Sequence, residues 1–227
     1  MAADFTGHRR RLRERFARGG ITALADYEII ELLLTFGIPR RDTKALAKAL
    51  IAQFKSVSGV LHADSSVLAA VAGIGDNATV IIKFIREVSA YCLLEKVKKQ
   101  SVIARRTDVE EYLRFNFGQK RDEYIAVVFL DNGNHVIAAE IIAEGTINQC
   151  VAYPRSIFEK ALKRGAAAFI IAHNHPGGAC AASEADWLLT ERLHEIGRLL
   201  DIPLLDHIII CQNSVVTLRE QGRWPGR

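Results

Sequence analysis

One stretch constrains the fold of this chain more than any other: the apolar run Ala166-Ala167-Ala168-Phe169-Ile170-Ile171 and the residues that follow it. The run is short, with Gly165 before it and Pro176-Gly177-Gly178 beyond it, so it reads as a buried strand. His173 and His175 stand at its end. Residues i and i+2 of a strand point to one side, so the two imidazoles can converge. Imidazole pairs of this kind suit a divalent metal, zinc above all. After the Pro-Gly-Gly turn the chain restarts as a helix, with Ser183 a natural N-cap and Asp186 in the first turn. Such a hairpin can return a carboxylate to the imidazoles as a third ligand. Three protein ligands leave a fourth tetrahedral position open, which separates a catalytic zinc site from a closed structural one.

The 227 residues allow one large domain or two small ones, and a content of 49% hydrophobic and 25% charged residues is ordinary for a soluble globular protein. No apolar run approaches the roughly 20 residues of a membrane span, and the Arg-rich N-terminus lacks a following apolar segment. Neither membrane insertion nor secretion is signalled, and a cytoplasmic location is expected. Cys92, Cys150, Cys180 and Cys211 contain no C-x-x-C pair, so they read as isolated thiols rather than as a disulfide framework or a cysteine zinc knuckle.

Charge is unevenly spread. Residues 1–99 carry 16 Lys+Arg against 10 Asp+Glu, whereas residues 100–227 carry 14 against 16. Six arginines fall between Arg9 and Arg18, a pattern that fits either a helix with a phosphate-seeking face or a solvated surface helix. The first half reads as helical throughout. Leu24 to Phe36 is an apolar-rich helix stopped at Gly37, Asp42 caps a second from Thr43 to Phe54, and a third runs from Ser65 to Ala72. Gly73-Ile74-Gly75 then leads into a long helix from Ala78 to about Glu95. This unit resembles a helix-hairpin-helix module, whose glycines let backbone approach a DNA phosphate; two helices joined by a tight turn for packing alone give the same pattern. The charged segment Lys96 to Ser101 is expected to be a linker, which divides the chain into domains 1–99 and 100–227.

The second half changes character. Thr107-Asp108-Val109-Glu110 reads as a capping box that opens a helix to Phe117. Strands are expected over Glu123–Leu130 and His135–Ile142, joined through Asn132-Gly133. Helices follow over Arg155–Arg164 and Ser183–Leu200, with closing strands at His207–Gln212 and Ser214–Leu218. Strands and helices mix without regular βαβ alternation, so the fold class is α+β, a sheet covered by helices, rather than a Rossmann fold.

Hydrolysis at such a centre needs a base for the attacking water and a donor for the oxyanion. Glu184 lies at another angle of the helical turn that carries Asp186 and is expected to face away. Glu123, polar at the mouth of an apolar strand, is the better candidate, with Glu140 and Glu144 as competitors. Ser183 can aim its hydroxyl at the scissile carbonyl. Asp206 and His207, set among Leu204-Leu205 and Ile208-Ile209-Ile210, read as a turn residue and a strand-start histidine rather than a second catalytic pair. Tyr153-Pro154-Arg155 fits either a groove lining or a helix start with Pro at its first position. A zinc deaminase would show H-x-E and P-C-x-x-C, and neither occurs.

Glu123, His173-Asn174-His175-Pro176-Gly177-Gly178 and Ser183-Glu184-Ala185-Asp186 together resemble the JAMM signature of the MPN (JAB) metalloprotease superfamily. Within it, Asn174, Gly145-Thr146, Tyr153-Pro154-Arg155, Leu204-Leu205-Asp206-His207-Ile208 and the Gly73-Ile74-Gly75 module resemble the RadC family over nearly the whole chain. The resemblance implies a cytidine deaminase-like mixed sheet flanked by helices behind an all-α domain. It implies His173, His175 and Asp186 as Zn2+ ligands, Glu123 as general base and Ser183 as oxyanion-side donor. The implied reaction is hydrolysis of a peptide or isopeptide bond in a peptide or protein substrate. The alternative is a DNA-associated repair factor that touches DNA through its basic half and uses the MPN domain as a scaffold or partner-binding module. The loop Gly178 to Ala182 departs from the more polar, proline-containing loop of RadC relatives and places Cys180 near the metal motif.

Overall fold

The structure, a computed structural model, describes residues 5–99, 101–102, 105–145, 152–176, 180–212 and 214–226. Cys150, Thr146, Gly177, Gly178 and Ala179 lie outside the described residues. The chain forms two compact units, Met1–Ser89 and Ala90–Arg227.

The first unit is all-helical: α1 (Phe5–Gly19), α2 (Asp26–Gly37), α3 (Lys44–Phe54), α4 (Val57–His62), α5 (Ser65–Ala69) and the first part of α6 (Asp76–Lys98). Its core joins Ile30 and Leu34 of α2, Ala47 and Leu50 of α3, Val60, Leu68, and Ala78 and Ile82 of α6, apolar positions spaced to share one face of each helix. Gly73 turns the chain between α5 and α6 at φ +96, a conformation that an L side chain rarely adopts. The N-cap of α3 is Thr43, not the expected Asp42, and its side chain makes no cap; Asp42, one residue earlier, accepts from the Lys44 N–H at 3.0 Å through its carboxylate. The arginine run is helical in α1. Arg9 donates to the carbonyls of Ile38, Pro39 and Arg41, and Arg15 grips Glu28 at 2.7 and 2.9 Å, so these two guanidiniums close the unit on itself.

The charged segment expected to be a linker is helical as far as Lys98. Val97 is buried in the second unit's core and Lys96 pairs with Asp108 at 2.8 Å, so packing carries α6 past its last strongly apolar turn. In the second unit α7 runs Arg106–Phe117, starting a residue before the expected capping box. Thr107 makes no such cap, and Asp108 turns to Lys96 instead.

A five-stranded sheet follows in the order β2-β1-β3-β4-β5, built from β1 (Tyr124–Leu130), β2 (Val136–Glu144), β3 (Ala168–Asn174), β4 (Leu204–Ile210) and β5 (Val215–Thr217). The β3–β4 pair is parallel and the other pairs are antiparallel. The Asn-Gly signal makes the β1–β2 hairpin, with Asn134 at φ 59 and its N–H on the Asp131 carbonyl. β1 and β3 are buried along their whole length. Ile125, Val127, Phe129, Phe169, Ile171 and Ile209 face α8 (Pro154–Lys163) and α9 (Glu184–Leu199) through Ile157, Phe158, Trp187 and Leu193. The alternate residues, Ala126, Val128, Ile170, Ala172, Ile208 and Ile210, face α7 through Val109, Leu113 and Phe117. Each large side chain buried this way stabilises by roughly 1.5–3 kcal/mol. The unit is thus an α+β sandwich of helix, mixed sheet and helix, and β1 and β3 are central because helices cover both their faces.

The cysteines are not all isolated thiols. Cys180 and Cys211 form a disulfide, their Cα atoms 5.8 Å apart across a sequence separation of 31, and Cys92 is an exposed free thiol. No spacing motif announces the pair, because only the fold brings the loop before α9 to the residue after β4.

Candidate metal centre

The centre lies where β3 ends. His173 and Ile125 are register partners, and Ile125 belongs to the core face that packs against α8 and α9. His173 therefore looks towards α9, whose first turn lies against it. Ser183 caps α9: its hydroxyl accepts from the Asp186 N–H at 3.2 Å while Asp186 Oδ2 accepts from the Ser183 N–H at 2.7 Å. This reciprocal cap points the Asp186 carboxylate back along the chain, at the histidines.

His173 Nε2 lies 2.8 Å from His175 Nε2 and 3.2 Å from Asp186 Oδ1, and His175 Nε2 lies 3.6 Å from Asp186 Oδ2. One ligand atom from each of the three residues falls within 4.8 Å of the others. Tetrahedral ligands at about 2.0–2.1 Å from zinc stand roughly 3.3 Å apart, so the observed spacings bracket what a zinc ion needs. The donor set of two imidazole nitrogens and one carboxylate oxygen is a zinc-type set. Burial alone would raise the Asp186 carboxyl, but hydrogen bonds and charge from His173 and His175, with the Ser183 contact, outweigh it and hold the group far below the usual carboxylate range.

The structure separates the three base candidates. Glu140 is tied to Lys160 of α8 at 3.0 Å and to Arg164, the residue that ends that helix. Glu144 accepts from the Tyr124 hydroxyl at 2.7 Å, and its register partner Tyr124 lies on the α7 face of the sheet, away from His173. Glu123, half-buried, precedes β1; continuing the β1–β3 register places it level with His175, and alternation places it on the face of Ile125 and His173. Its backbone is held on three sides. The Asn174 carboxamide oxygen accepts from the Tyr124 N–H at 2.8 Å, the Asn174 amide donates to the Asp122 carbonyl at 2.9 Å, and the Glu123 carbonyl accepts from Gly145 at 2.9 Å. Asn174, 2% exposed, thus connects the end of β3 to the entry of β1.

Ser183 also donates its hydroxyl to Asp186 Oδ2 at 2.7 Å. Glu184 faces away, as its place on the helical turn requires, and pairs with Arg223 at 2.5 and 2.6 Å. Tyr153 and Arg155 are exposed at the start of α8, where Pro154 takes the first helical position.

Two residues that sequence reasoning left out of the site belong to its surroundings. His207, fully buried, lies with its Nε2 2.8 Å from His173 Nδ1, and its Nδ1 is 2.6 Å from the Thr190 hydroxyl. Thr190 in turn donates to the Asp186 carbonyl at 2.6 Å. Burial pushes the His207 imidazole well below its ordinary pKa, with the neighbouring His173 and His175 acting in the same sense against Asp186. The available signal was the cost of placing an imidazole inside an isoleucine run, which demands a partner. Asp206 points to the opposite face, where burial raises its carboxyl to about 6 against the pull of Arg106.

Residues 103–223 match the family described as the RadC-like JAB domain, and residues 6–80 match the UPF0758 N-terminal domain. A UPF0758 protein of Fusobacterium nucleatum is 36% identical over 226 residues, spanning 96% of this chain and 97% of its own length. A UPF0758 protein of Ruegeria pomeroyi is 37% identical over 223 residues, or 98% and 99% of the two chains. One of Methylibium petroleiphilum is 36% identical over 212 residues, covering 93% and 96%.

Proposed function

The chain belongs to the RadC family, and from that premise we propose that its second unit is a zinc-dependent cytoplasmic hydrolase that cuts a peptide or isopeptide bond. The observation that carries this reading is the convergence of His173, His175 and Asp186 at the sheet end where Glu123 enters β1. The donor set fits zinc, with His173 and His175 as the imidazole ligands and Asp186 as the carboxylate. When bound, zinc supplies Lewis acidity, which polarises a carbonyl and brings the pKa of water towards neutrality.

The protein's own groups do the rest. Glu123 takes the proton from the attacking water and returns it to the departing amine. Asn174 and Gly145 fix the backbone on either side of that carboxylate, so its place is set by strand pairing rather than by a free loop. Ser183 holds Asp186 in line through its N–H, and its hydroxyl, turned from Asp186 Oδ2, is the donor for the developing oxyanion.

Two measurements test the reading together: the metal content of the purified protein, and mass-spectrometric digestion of a peptide and isopeptide library. One zinc per chain is expected, with cleavage that Glu123→Gln abolishes while it retains the metal. A protein without stoichiometric zinc, or a Glu123→Gln variant that cleaves as fast as the parent, refutes it.

A further inference from the structure

We propose that His207 and Thr190 are positioning residues for the metal centre: they form a one-way hydrogen-bond chain that fixes the His173 ring with its Nδ1 donating to His207 and its Nε2 turned to His175 and Asp186. The inference rests on the metal reading above and concerns a pair of residues outside its ligand set.

The direction of the chain follows from proton counting. The Asp186 carbonyl can only accept, so the Thr190 hydroxyl, 2.6 Å away, spends its single proton there. Towards His207 Nδ1, also at 2.6 Å, the same oxygen must then accept, which places a proton on Nδ1. His207 is fully buried, and its side-chain contacts are a hydroxyl and an imidazole rather than a carboxylate, so its ring carries one proton and its Nε2 is an acceptor. His173 Nδ1, 2.8 Å from that acceptor, must therefore donate. Its proton on Nδ1 leaves Nε2 as the nitrogen that faces the other two ligands.

The geometry ties both ligand-bearing elements to one strand. His207 sits on β4 as the parallel partner of Ile171, two residues before His173 on β3, so it meets the ring from the side opposite the ligand cluster. Thr190 sits one helical turn after Asp186 on α9, where a hydroxyl reaches the Asp186 carbonyl and the strand at once. β3 and α9 are thereby held in register at the point where each presents a ligand. A ring free to flip could direct its protonated nitrogen at the cluster.

Two measurements distinguish this proposal from the reading beneath it. In the metal-free protein, two-bond proton–nitrogen correlation spectra of the histidine rings report the tautomer of His207. Nδ1 protonated and Nε2 bare is expected, and a proton on Nε2 overturns the proposal. Zinc affinity, measured by competition with a chromogenic chelator, is expected to fall 10–100-fold in His207→Leu and in Thr190→Val. It is expected to stay within threefold of the parent in Thr190→Ser, which keeps the hydroxyl, and to be partly restored in His207→Gln, which keeps one acceptor and one donor. A parent protein that takes up no zinc refutes the metal reading and this proposal with it. A parent that binds zinc, with folded Thr190→Val binding as tightly, refutes this proposal alone.

Discussion

Asp206 offers a quantitative test of how the second unit is built. Its carboxylate lies in the face of the sheet that packs against α7, 5% exposed, and its Oδ1 accepts from the His207 N–H at 2.8 Å and the Arg219 N–H at 3.2 Å. Arg106, the nearest cation at 3.7 Å, is shared with Glu110 at 2.9 Å and Glu220 at 2.7 Å. Desolvation therefore wins, and the carboxyl rises from 3.8 to about 6. A carboxyl whose pKa is higher folded than unfolded contributes stability below its unfolded value, and that contribution is lost as pH rises through the folded value. At about 1.36 kcal/mol per tenfold change in acidity, the interval amounts to about 3 kcal/mol in the limit and about 2.4 kcal/mol between pH 4 and pH 7.5. Asp206→Asn keeps the acceptor oxygen and removes the titration. The stability of the variant relative to the parent should therefore improve by about 2–3 kcal/mol as pH goes from 4 to 7.5. Other titrating groups, Asp186 included, cancel in that difference. Both tryptophans, Trp187 and Trp224, lie in the second unit, so urea unfolding followed by tryptophan fluorescence reports on this unit. A difference that is flat with pH, or that shrinks as pH rises, refutes the argument from desolvation.

Two further perturbations test the frame of the site. Asn174→Ala leaves the Tyr124 N–H and the Asp122 carbonyl without their partner, so a loss of roughly 2–4 kcal/mol is expected together with faster amide exchange at Tyr124; a loss under about 0.5 kcal/mol contradicts the bridging role. Reduction of the Cys180–Cys211 bond, or Cys180→Ser, frees a loop of sequence separation 31 in the unfolded chain and should cost roughly 3–4 kcal/mol in the same unfolding assay. Equal stability with and without reductant would mean that the bridge does not constrain the chain.

Much of the site could be read along the chain because it is local. β3, the turn after it and the cap of α9 fall within one short stretch, and strand alternation with helix capping suffices to aim His173, His175 and Asp186 at one point. The Asn-Gly hairpin and the helices α2 and α3 were equally legible, since each rests on neighbours a few residues apart. The end of α6 was not. Lys96 to Lys99 carries the composition of a linker, and the burial of Val97 against the sheet keeps it helical as far as Lys98. The expected capping box at Thr107 failed for a related reason, because Asp108 has a tertiary partner in Lys96 that outweighs a local cap.

By itself, then, the sequence determined the α+β class, the strand and helix that carry His173, His175 and Asp186, and the membership of the family. Only tertiary structure decided which carboxylate stands level with the histidines, that Cys180 meets Cys211, and that His207 belongs behind His173. Periodicity states which side of an element is apolar, whereas the register between strands states which residues of distant segments face each other. Ile171 meets His207 because β3 and β4 pair in parallel, joined by the crossover through α9, and register across a parallel pair is a property of the folded sheet rather than of either strand's own pattern.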